Sequence, residues 1–384
     1  MSEFSLATKN AKSTKAEWKK CRLGEVADLS WGDTSTTKDK YVAQGFLAYS
    51  GSGPDGMLPY ADYDRVGVVL CAIGANCGLS WLAKEKWSCI KNTMRFWSID
   101  KDVDTEFLFW STRGKTFWPK RGSAQPFISQ EDARNVIIAL PPLPTQRKIA
   151  AVLGALDDKI ENNRKICANL EAQAQAIFKS WFVDFEPFGG KMPQGWKMGK
   201  LGDVAEITMG QSPDGKSLND VDDGITFFQG RAEFGNRFPT KRLSTTEPNR
   251  MAKVGDVLLS VRAPVGDLNI ALEDCCIGRG LAAIRSKAGS QSFIYCLLKT
   301  LKPAFDLYEG AGTIFGSINK DSLHGLDVVI PEGNWIYKFE SVVSSLDRMI
   351  REGELETRAL AATRDALLPK LMSGEIDVEK VKVA

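Results

Sequence analysis

Residues 210–217 have the sequence GQSPDGKS, which matches the phosphate-binding pattern G-x-x-x-x-G-K-(S/T). In nucleotide hydrolases such a loop holds phosphates between a strand and the N-terminus of a helix. Residues 204–209 alternate as a strand does, so the entering strand is expected. Residues 217–224 are turn formers, and no apolar helical period begins there. A nucleotide hydrolase that uses Lys216 is therefore one hypothesis, with half of its structural context in place.

Other catalytic and metal chemistry has little support in the sequence. His324 is the only histidine, which excludes most metal sites and histidine general bases. The eight cysteines form no C-x-x-C pair, and the polar N-terminus does not resemble a secretory leader, so reduced cytoplasmic thiols are expected. Leucines flank the Pro-Pro dipeptide at 141–142, so it is not the (D/N/S)-P-P-(Y/F) tetrapeptide of methyltransferases. We expect a non-catalytic protein with no metal and no cofactor.

Local rather than overall charge favours a nucleic-acid partner. The net charge is only +2, so binding would depend on local basic surface. Residues 107–130 contain no acid and combine basic side chains with Phe117 and Trp118, and residues 275–305 contain five basic residues and no acid. Such stretches are typical of surfaces that follow a phosphate backbone. A solvated helix face explains any single lysine, but both halves of the chain lack acids in corresponding parts.

The elements that would position these residues occur twice. Residues 18–32, WKKCRLGEVADLSWG, match residues 196–210, WKMGKLGDVAEITMG, and later matches keep the same order at shifts of 188 and 190 residues. In each half, strand-like runs lead to a strand that ends in proline, at 136–141 and 326–331, and a helix follows. The first half has such a run at 66–72 and the second at 255–261. Residues 33–65 and 211–253 match poorly, which predicts related scaffolds with different loops.

The helix of each half has apolar residues that repeat by sevens, as in a coiled-coil seam. Packing against the globular body explains one such helix, but two matched helices favour an antiparallel pair with an internal pseudo-twofold axis. Residues 156–182 would span about 40 Å at about 1.5 Å per residue. Gly353 and Arg364 interrupt the second seam. The predicted seam residues are Leu156, Ile160, Leu170, Ile177, Trp181, Leu346, Ile350, Leu360, Leu367 and Leu371.

Two related modules with a helical spacer suit DNA with two half-sites, which dimeric DNA-binding proteins contact about 34–36 Å apart. A structural scaffold without DNA contact also fits the helices, but it leaves the two different loop sets unexplained. Arginine pairs well with guanine, and Gln or Asn pairs well with adenine. The candidate DNA-binding residues are Lys38, Lys91, Arg95, Arg113, Lys115, Lys120, Arg121, Gln125, Lys216, Gln229, Arg231, Arg237, Lys241, Arg242, Arg262, Arg279 and Lys320.

Residues 140–153, LPPLPTQRKIAAVL, and 156–160, LDDKI, resemble the start of the central conserved helix in the DNA-specificity subunit of type I restriction-modification enzymes. The W-x-x-x-x-LG-(E/D)-V-A start of each half, the V-G-D-V-L run and residues 367–376, LLPKLMSGEI, resemble that family too, over residues 17–377. The second copy departs from the pattern, with PEGNWIY at 331–337. The resemblance implies recognition of a bipartite DNA site. It also implies that catalysis lies in two methyltransferase (modification) subunits around the spacer helices and in restriction (translocase-nuclease) subunits.

The expected fold class is α+β, with two target-recognition domains that contain twisted sheets. Two long antiparallel helices would separate them as a coiled-coil spacer. No apolar run approaches the roughly 20 residues that span a membrane, so a cytoplasmic protein is expected. The predicted domains are a flexible N-terminal arm (1–16), the first recognition domain (17–143), a central helical region (144–190), the second recognition domain (191–332) and a distal helical region (333–384).

Overall fold

The computed structural model describes residues 18–309 and 316–381. The predicted N-terminal arm, residues 1–16, lies outside the described residues. The chain divides into two compact units, Met1–Asn162 with Glu356–Ala384, and Asn163–Leu355. Each unit therefore combines one globular module with a part of both long helices.

The first unit contains three sheets. Its strands are β1 (Lys19–Arg22), β2 (Ala27–Trp31), β3 (Phe46–Ser50), β4 (Gly53–Leu58), β5 (Tyr63–Asp64), β6 (Gly67–Cys71), β7 (Ser80–Ala83), β8 (Lys86–Cys89), β9 (Thr93–Ser98) and β10 (Ile137–Leu140). The sheet orders are β1-β10, β2-β9-β6-β7 and β4-β3-β8-β5. Only the β3–β8 pair is parallel within the described part of this unit. The strands predicted at 66–72 and 136–141 are confirmed, and every residue of β6 is buried.

Helices cover these sheets in the first unit. They are α1 (Leu23–Val26), α2 (Thr105–Ser111), α3 (Gln130–Asn135) and the first half of α4 (Leu143–Phe182). Asp104 caps α2 by accepting a hydrogen bond from the Phe107 backbone at 2.9 Å, and Ser129 caps α3 in the same way. Phe107 and Trp110 of α2 belong to the core of this unit.

The second unit repeats this topology. Its strands are β11 (Lys197–Lys200), β12 (Ala205–Met209), β13 (Leu218–Asn219), β14 (Ile225–Phe228), β15 (Leu243–Thr245), β16 (Met251–Ala252), β17 (Val257–Ser260), β18 (Leu268–Ile270), β19 (Cys275–Ile277), β20 (Leu281–Ser286) and β21 (Asp327–Ile330). The sheet orders are β11-β21, β12-β20-β17-β18 and β13-β15-β14-β19-β16, with β14 and β19 parallel. Among the described residues β13 has no counterpart in the first unit, and it lies in the longer of the two divergent loop regions.

The helices of the second unit pack an aromatic core. They are the second half of α4, α5 (Leu201–Val204), α6 (Gln291–Thr300), α7 (Lys302–Asp306), α8 (Lys320–His324) and the first half of α9 (Trp335–Met372). The ring centroid of Phe178 on α4 lies 5.4 Å from that of Phe293 and 5.6 Å from that of Phe339. In the described ranges, no helix has the length and apolar character needed to cross a membrane.

The long helices run antiparallel inside each unit, as predicted. In the first unit Ile149 and Leu153 of α4 share a core with Leu371 of α9. In the second unit the Cys167 thiol lies 3.6 Å from the Ile350 carbonyl oxygen. Asp157 of the first unit pairs with Arg364, and Phe178 of the second unit lies 5.6 Å from Phe339. Inside each unit, partner numbers on α9 therefore fall as numbers on α4 rise, which is the antiparallel order.

The seam residues are buried to different degrees. Leu156, Ile160, Ile350 and Leu371 are buried, and the other predicted seam residues, Leu170, Ile177, Trp181, Leu346, Leu360 and Leu367, are partly buried. Near the end of α4 the most buried side chains are Phe178 and Phe182, one residue beyond Ile177 and Trp181. The seam spacing changes there to successive steps of four, because the helix packs on the globular module as well as on α9.

The two residues expected to interrupt the second seam take part in the helix contact. A Cβ atom on Gly353 would lie 2.8 Å from the Cys167 sulfur, so glycine allows this approach. Arg364 forms an ion pair with Asp157 of α4. Both residues therefore belong to the contact between α4 and α9.

All eight cysteines fall within the described ranges, and each is buried and outside any disulfide. Burial raises the pKa of Cys71 to about 11 and the pKa values of Cys89 and Cys275 to about 12. Thiols with such pKa values stay protonated near neutral pH and react slowly. The cysteines therefore behave as core side chains.

Candidate nucleic-acid interface

Each module has a three-residue loop after its parallel strand, residues 90–92 after β8 and residues 278–280 after β19. We call these segments the exit loops. Equivalent backbone hydrogen bonds hold both. In the first module they are Asp33 N to Cys89 O (2.8 Å), Ile90 N to Tyr49 O (2.9 Å) and Ala72 N to Asn92 O (2.9 Å). In the second they are Gln211 N to Ile277 O (2.9 Å), Gly278 N to Phe228 O (2.8 Å) and Val261 N to Gly280 O (2.9 Å).

A second repeated contact joins a later segment to the residue directly after Ala72 or Val261, the residues whose backbones bond to the exit loops. An isolated bridge pairs Ile73 with Phe127 in the first module and Arg262 with Ser317 in the second. These contacts bring candidate residues together in each module. The first loop surface consists of Lys91, Lys115, Lys120 and Gln125, and the second loop surface consists of Gln229, Arg262, Arg279 and Lys320, all of them exposed.

A glycine shapes the first loop surface. A Cβ atom on Gly78 would lie 3.0 Å from the Lys115 carbonyl oxygen and 3.1 Å from Lys120 Cε. The φ angle of Gly78 is 88°, in the left-handed region that glycine favours. Lys115 donates to the Ala75 carbonyl at 3.1 Å. The two lysines therefore lie over one turn, as expected of cations that follow a phosphate backbone.

Glycines on both sides of Arg279 shape the second loop surface. Cβ atoms on Gly278 and Gly280 would lie 3.0 Å and 2.7 Å from the Gln229 backbone. Glycine at both positions therefore lets the Gln229 backbone pack directly against the exit loop. The side chains of Gln229 and Arg279 are both exposed. The Ile277 backbone donates to the Arg250 carbonyl at 2.8 Å.

Arg250 is an exposed cation next to this exit loop that the sequence analysis missed. It lies at the end of the divergent region 211–253, directly before β16. Its position in a loop predicted to differ between the modules was the feature that could have identified it.

The structure contradicts the assignment of Arg237 to a DNA-binding surface. The residue is only 2% exposed. Its guanidinium forms an ion pair with Asp347 of α9 and lies 4.3 Å from the Tyr295 ring centroid. Arg237 therefore ties the second module to α9, and its charge does not reach the surface.

Arg95 and Arg113 also have structural partners that remove them from the candidate surface. The Arg95 side chain is 13% exposed, lies 2.8 Å from Asp28 and stacks on Trp97 at 4.0 Å. The Arg113 side chain is 26% exposed and lies 2.6 Å from Asp157. Both guanidinium groups are shared between a carboxylate and an aromatic ring, so neither is free to meet a phosphate.

Four further candidates are exposed but paired with carboxylates, namely Lys38 with Asp55, Arg121 with Asp132, Arg231 with Asp267 and Lys241 with Asp222. Exposed ion pairs contribute about 0–1 kcal/mol, so a DNA phosphate can replace the carboxylate. Arg242 and Lys216 are exposed. These six residues stay predictions.

Two fixed carboxylates lie in the divergent loop region of the first module. Hydrogen bonds from Ser35 and Thr36 lower the pKa of Asp33 to about 2. Burial raises the pKa of Asp55, but bonds from Lys38, Ser50 and Tyr41 outweigh burial and leave that pKa below its ordinary value. A permanently ionised acceptor such as Asp33 suits the amino group of a base and repels phosphate.

The nucleotide-hydrolase hypothesis is wrong. The entering strand is present as β12, but a three-residue turn, Gly215–Ser217, leads directly into β13 where a phosphate-binding helix would start. The Ser217 hydroxyl is buried, donates to the Asp214 carbonyl at 2.7 Å and lies 2.8 Å from the Thr245 hydroxyl. Ser217 can therefore reach neither a nucleotide nor DNA, although Lys216 is exposed.

Comparisons with known proteins agree with the repeated framework. The model of the type I restriction modification DNA specificity domain matches the chain at residues 15–172 and 193–352. The putative type I restriction enzyme MjaX specificity subunit of Methanocaldococcus jannaschii is 32% identical over 272 residues, which cover 68% of this chain and 64% of that protein. The match therefore spans less than two thirds of that relative.

Two further proteins are similar over most of their length. The MjaIX specificity subunit of the same organism is 29% identical over 316 residues, 74% of this chain and 72% of that protein. The crystal structure of the S subunit of a type I restriction-modification system from M. genitalium has the same fold. It has a TM-score of 0.66 and 16% identity, and the match covers 94% of this chain and 98% of that chain.

Proposed function

The chain belongs to the type I restriction modification DNA specificity family, whose domain model matches both of its halves, and on that premise we propose that it recognises a bipartite site in double-stranded DNA. Each module binds one half-site through its loop surface. The protein is a non-catalytic cytoplasmic subunit. It directs two methyltransferase subunits and the restriction subunits to the site.

One observation supports this function above others. The backbone framework around the exit loops is the same in both modules, but the side chains on it differ. Asp33 corresponds to Gln211 and Asn92 corresponds to Gly280 in the equivalent hydrogen bonds. Each base pair presents a distinct pattern of donors and acceptors in the major groove, so different side chains on one framework select different half-sites. A scaffold without DNA contact would need no such difference.

The test is selection from random double-stranded DNA by the purified chain together with its methyltransferase subunits. We expect enrichment of two short sequences separated by a fixed gap of unselected bases. Enrichment of one contiguous sequence, or of none, would contradict the proposal.

A substitution separates DNA recognition from a scaffold role. Arg262→Ala should weaken DNA binding by about tenfold, in line with about 1–3 kcal/mol for a good arginine contact, and leave the methyltransferase complex intact. Lys253→Ala is the control, because Lys253 is exposed but lies beside Asp274 at the start of β19, at the opposite end of that strand from the exit loop. A scaffold would lose nothing with either variant. Electrophoretic mobility shift and size-exclusion chromatography measure the two properties.

A further inference from the structure

Lys91 and Arg279 occupy the same position in the two modules. Each is the middle residue of its exit loop, and the equivalent backbone hydrogen bonds on both sides place their Cα atoms at the same point of the framework. Both side chains are exposed. Within residues 18–309 and 316–381, no carboxylate oxygen lies within 4.0 Å of the charged nitrogens of either.

The opposite ends of the same strands differ from the exit loops. Lys86 at the start of β8 lies 3.7 Å from Asp64. At the start of β19 the corresponding residue is the acid Asp274, which lies 2.7 Å from Lys253, directly after β16. In both modules the cation at this end of the sheet therefore has an acidic partner, whereas Lys91 and Arg279 in the exit loops have none among the described residues.

The neighbours of the two cations are not alike. Ile90 and Asn92 flank Lys91, whereas Gly278 and Gly280 flank Arg279. A residue that selects bases should change between modules that recognise different half-sites. Contacts to phosphate carry no direct sequence information and position the protein on the duplex. Lys91 and Arg279 keep the positive charge while their neighbours change, which is expected of a phosphate contact rather than of a base contact.

We propose that Lys91 and Arg279 are equivalent phosphate contacts, one in each module, which orient the DNA backbone of each half-site without selecting its bases. This inference rests on the proposed function. The backbone bonds of each exit loop hold the charge at a defined place relative to the strands that carry the divergent loops. Each module thus has the same anchor beside different base-contacting side chains.

Salt dependence of DNA binding by the complex with methyltransferase subunits tests this inference. Lys91→Gln and Arg279→Gln should each reduce the slope of log K against log salt by about 0.9, and the double variant by about 1.8, since each lost phosphate contact removes one such increment. The selected half-site sequences should not change. Lys86→Gln and Lys253→Gln remove an exposed cation at the end of the sheet away from the exit loops. They are the matched controls and should keep the wild-type slope.

Charge-retaining variants separate phosphate contact from base recognition. Lys91→Arg and Arg279→Lys should keep both the slope and the selected sequence, because a phosphate needs the charge, whereas a guanine contact needs the arginine fork. An unchanged slope in the glutamine variants overturns the inference, and so does relaxed selection in one half-site. Absence of any split site for the wild-type complex would instead refute the proposed function, and the inference would fall with it.

Discussion

At the scale of single residues, Asp157 joins two cations that are far apart in the sequence. Its carboxylate lies 2.6 Å from Arg113 and also pairs with Arg364. Arg113 and Asp157 are about three quarters buried, and the Arg364 side chain is 13% exposed. Asp157→Asn would leave the partly buried Arg113 guanidinium without its acid and Arg364 with Asp365 alone. We expect a loss of about 2 kcal/mol, below the 3–5 kcal/mol of a fully buried pair.

The next residue on the same helix provides the control. Asp158 lies 3.3 Å from Lys84, and both side chains are largely exposed. Asp158→Asn should cost under about 0.5 kcal/mol, because exposed pairs contribute little. Urea denaturation followed by tryptophan fluorescence measures both variants. Equal midpoints for the two variants would contradict the structural role of Asp157.

Arg237 and Arg231 lie close in sequence, but their substitution should affect protein stability very differently. Arg237 is buried against Asp347 and Tyr295, so Arg237→Ala leaves the carboxylate without its partner and should destabilise the second unit by about 3 kcal/mol. Arg231 is exposed, so Arg231→Ala should leave stability within about 0.5 kcal/mol of wild type.

Thermal denaturation in the absence of DNA separates the two arginines. If the Arg237→Ala protein is as stable as wild type but binds DNA more weakly, the structural role is wrong and Arg237 contacts DNA. A destabilised protein that still selects the wild-type sequence at low temperature would support the structural role.

At the scale of elements, different side-chain hydrogen bonds join the start of each long helix to its module. Gln146 of α4 is buried, accepts from the Asp104 backbone at 2.9 Å, and donates to Asp102 O at 3.1 Å and Pro141 O at 2.8 Å. The start of α9 lacks this glutamine. There the Glu340 carboxylate accepts from the Ser292 hydroxyl at 3.0 Å at the start of α6. In the first unit a side-chain amide near the start of the long helix bonds to the module, and in the second unit a carboxylate makes the corresponding bond.

This exchange predicts a pH effect. Burial raises the pKa of Glu340 above its ordinary value, although bonds from Ser292 oppose the change. The folded chain thus holds this proton more tightly than the unfolded chain. Stability from this group is complete below the unfolded pKa of about 4.3 and declines as pH rises through the folded pKa. Glu340→Gln should match wild type near pH 4 and become relatively more stable as pH increases.

Denaturation midpoints between pH 4 and pH 8 measure this effect. Glu352→Gln, an exposed position on the same helix, is the control and should follow the wild-type profile. A constant difference between Glu340→Gln and wild type across this range would contradict the prediction.

The sequence predicted elements better than it predicted contacts. The repeat, the proline-ended strands and the antiparallel helices follow from local periodicity, which is a property of neighbouring residues. The role of Arg237 depends on Asp347, 110 residues away, and no local pattern identifies such a partner. The loop surfaces had the same difficulty. The shift of 188 residues already pairs Lys91 with Arg279, but only the hydrogen-bond framework showed that both are the middle residues of equivalent loops.

At the scale of the whole molecule, the compact units do not coincide with a simple division into modules and helices. The first unit includes residues 356–384 of the distal region as well as residues 1–162. The Asp104 backbone bonds to Gln146, and Arg113 pairs with Asp157. A module inserted from another protein must therefore form the hydrogen bond to Gln146 and the ion pair with Asp157, because both residues lie on α4 and stay in the host chain.

Replacement of residues 17–140 by another module of this family should change one half of the selected DNA sequence and leave the other half and the gap unchanged. The donor should carry an arginine at the position of Arg113. A matched hybrid with alanine there should select the same DNA but denature earlier, since Asp157 then keeps only Arg364 as a partner. Selection from random DNA and urea denaturation measure the two properties. If both half-sites change in the arginine hybrid, the modules do not act separately, and the two-module interpretation is wrong.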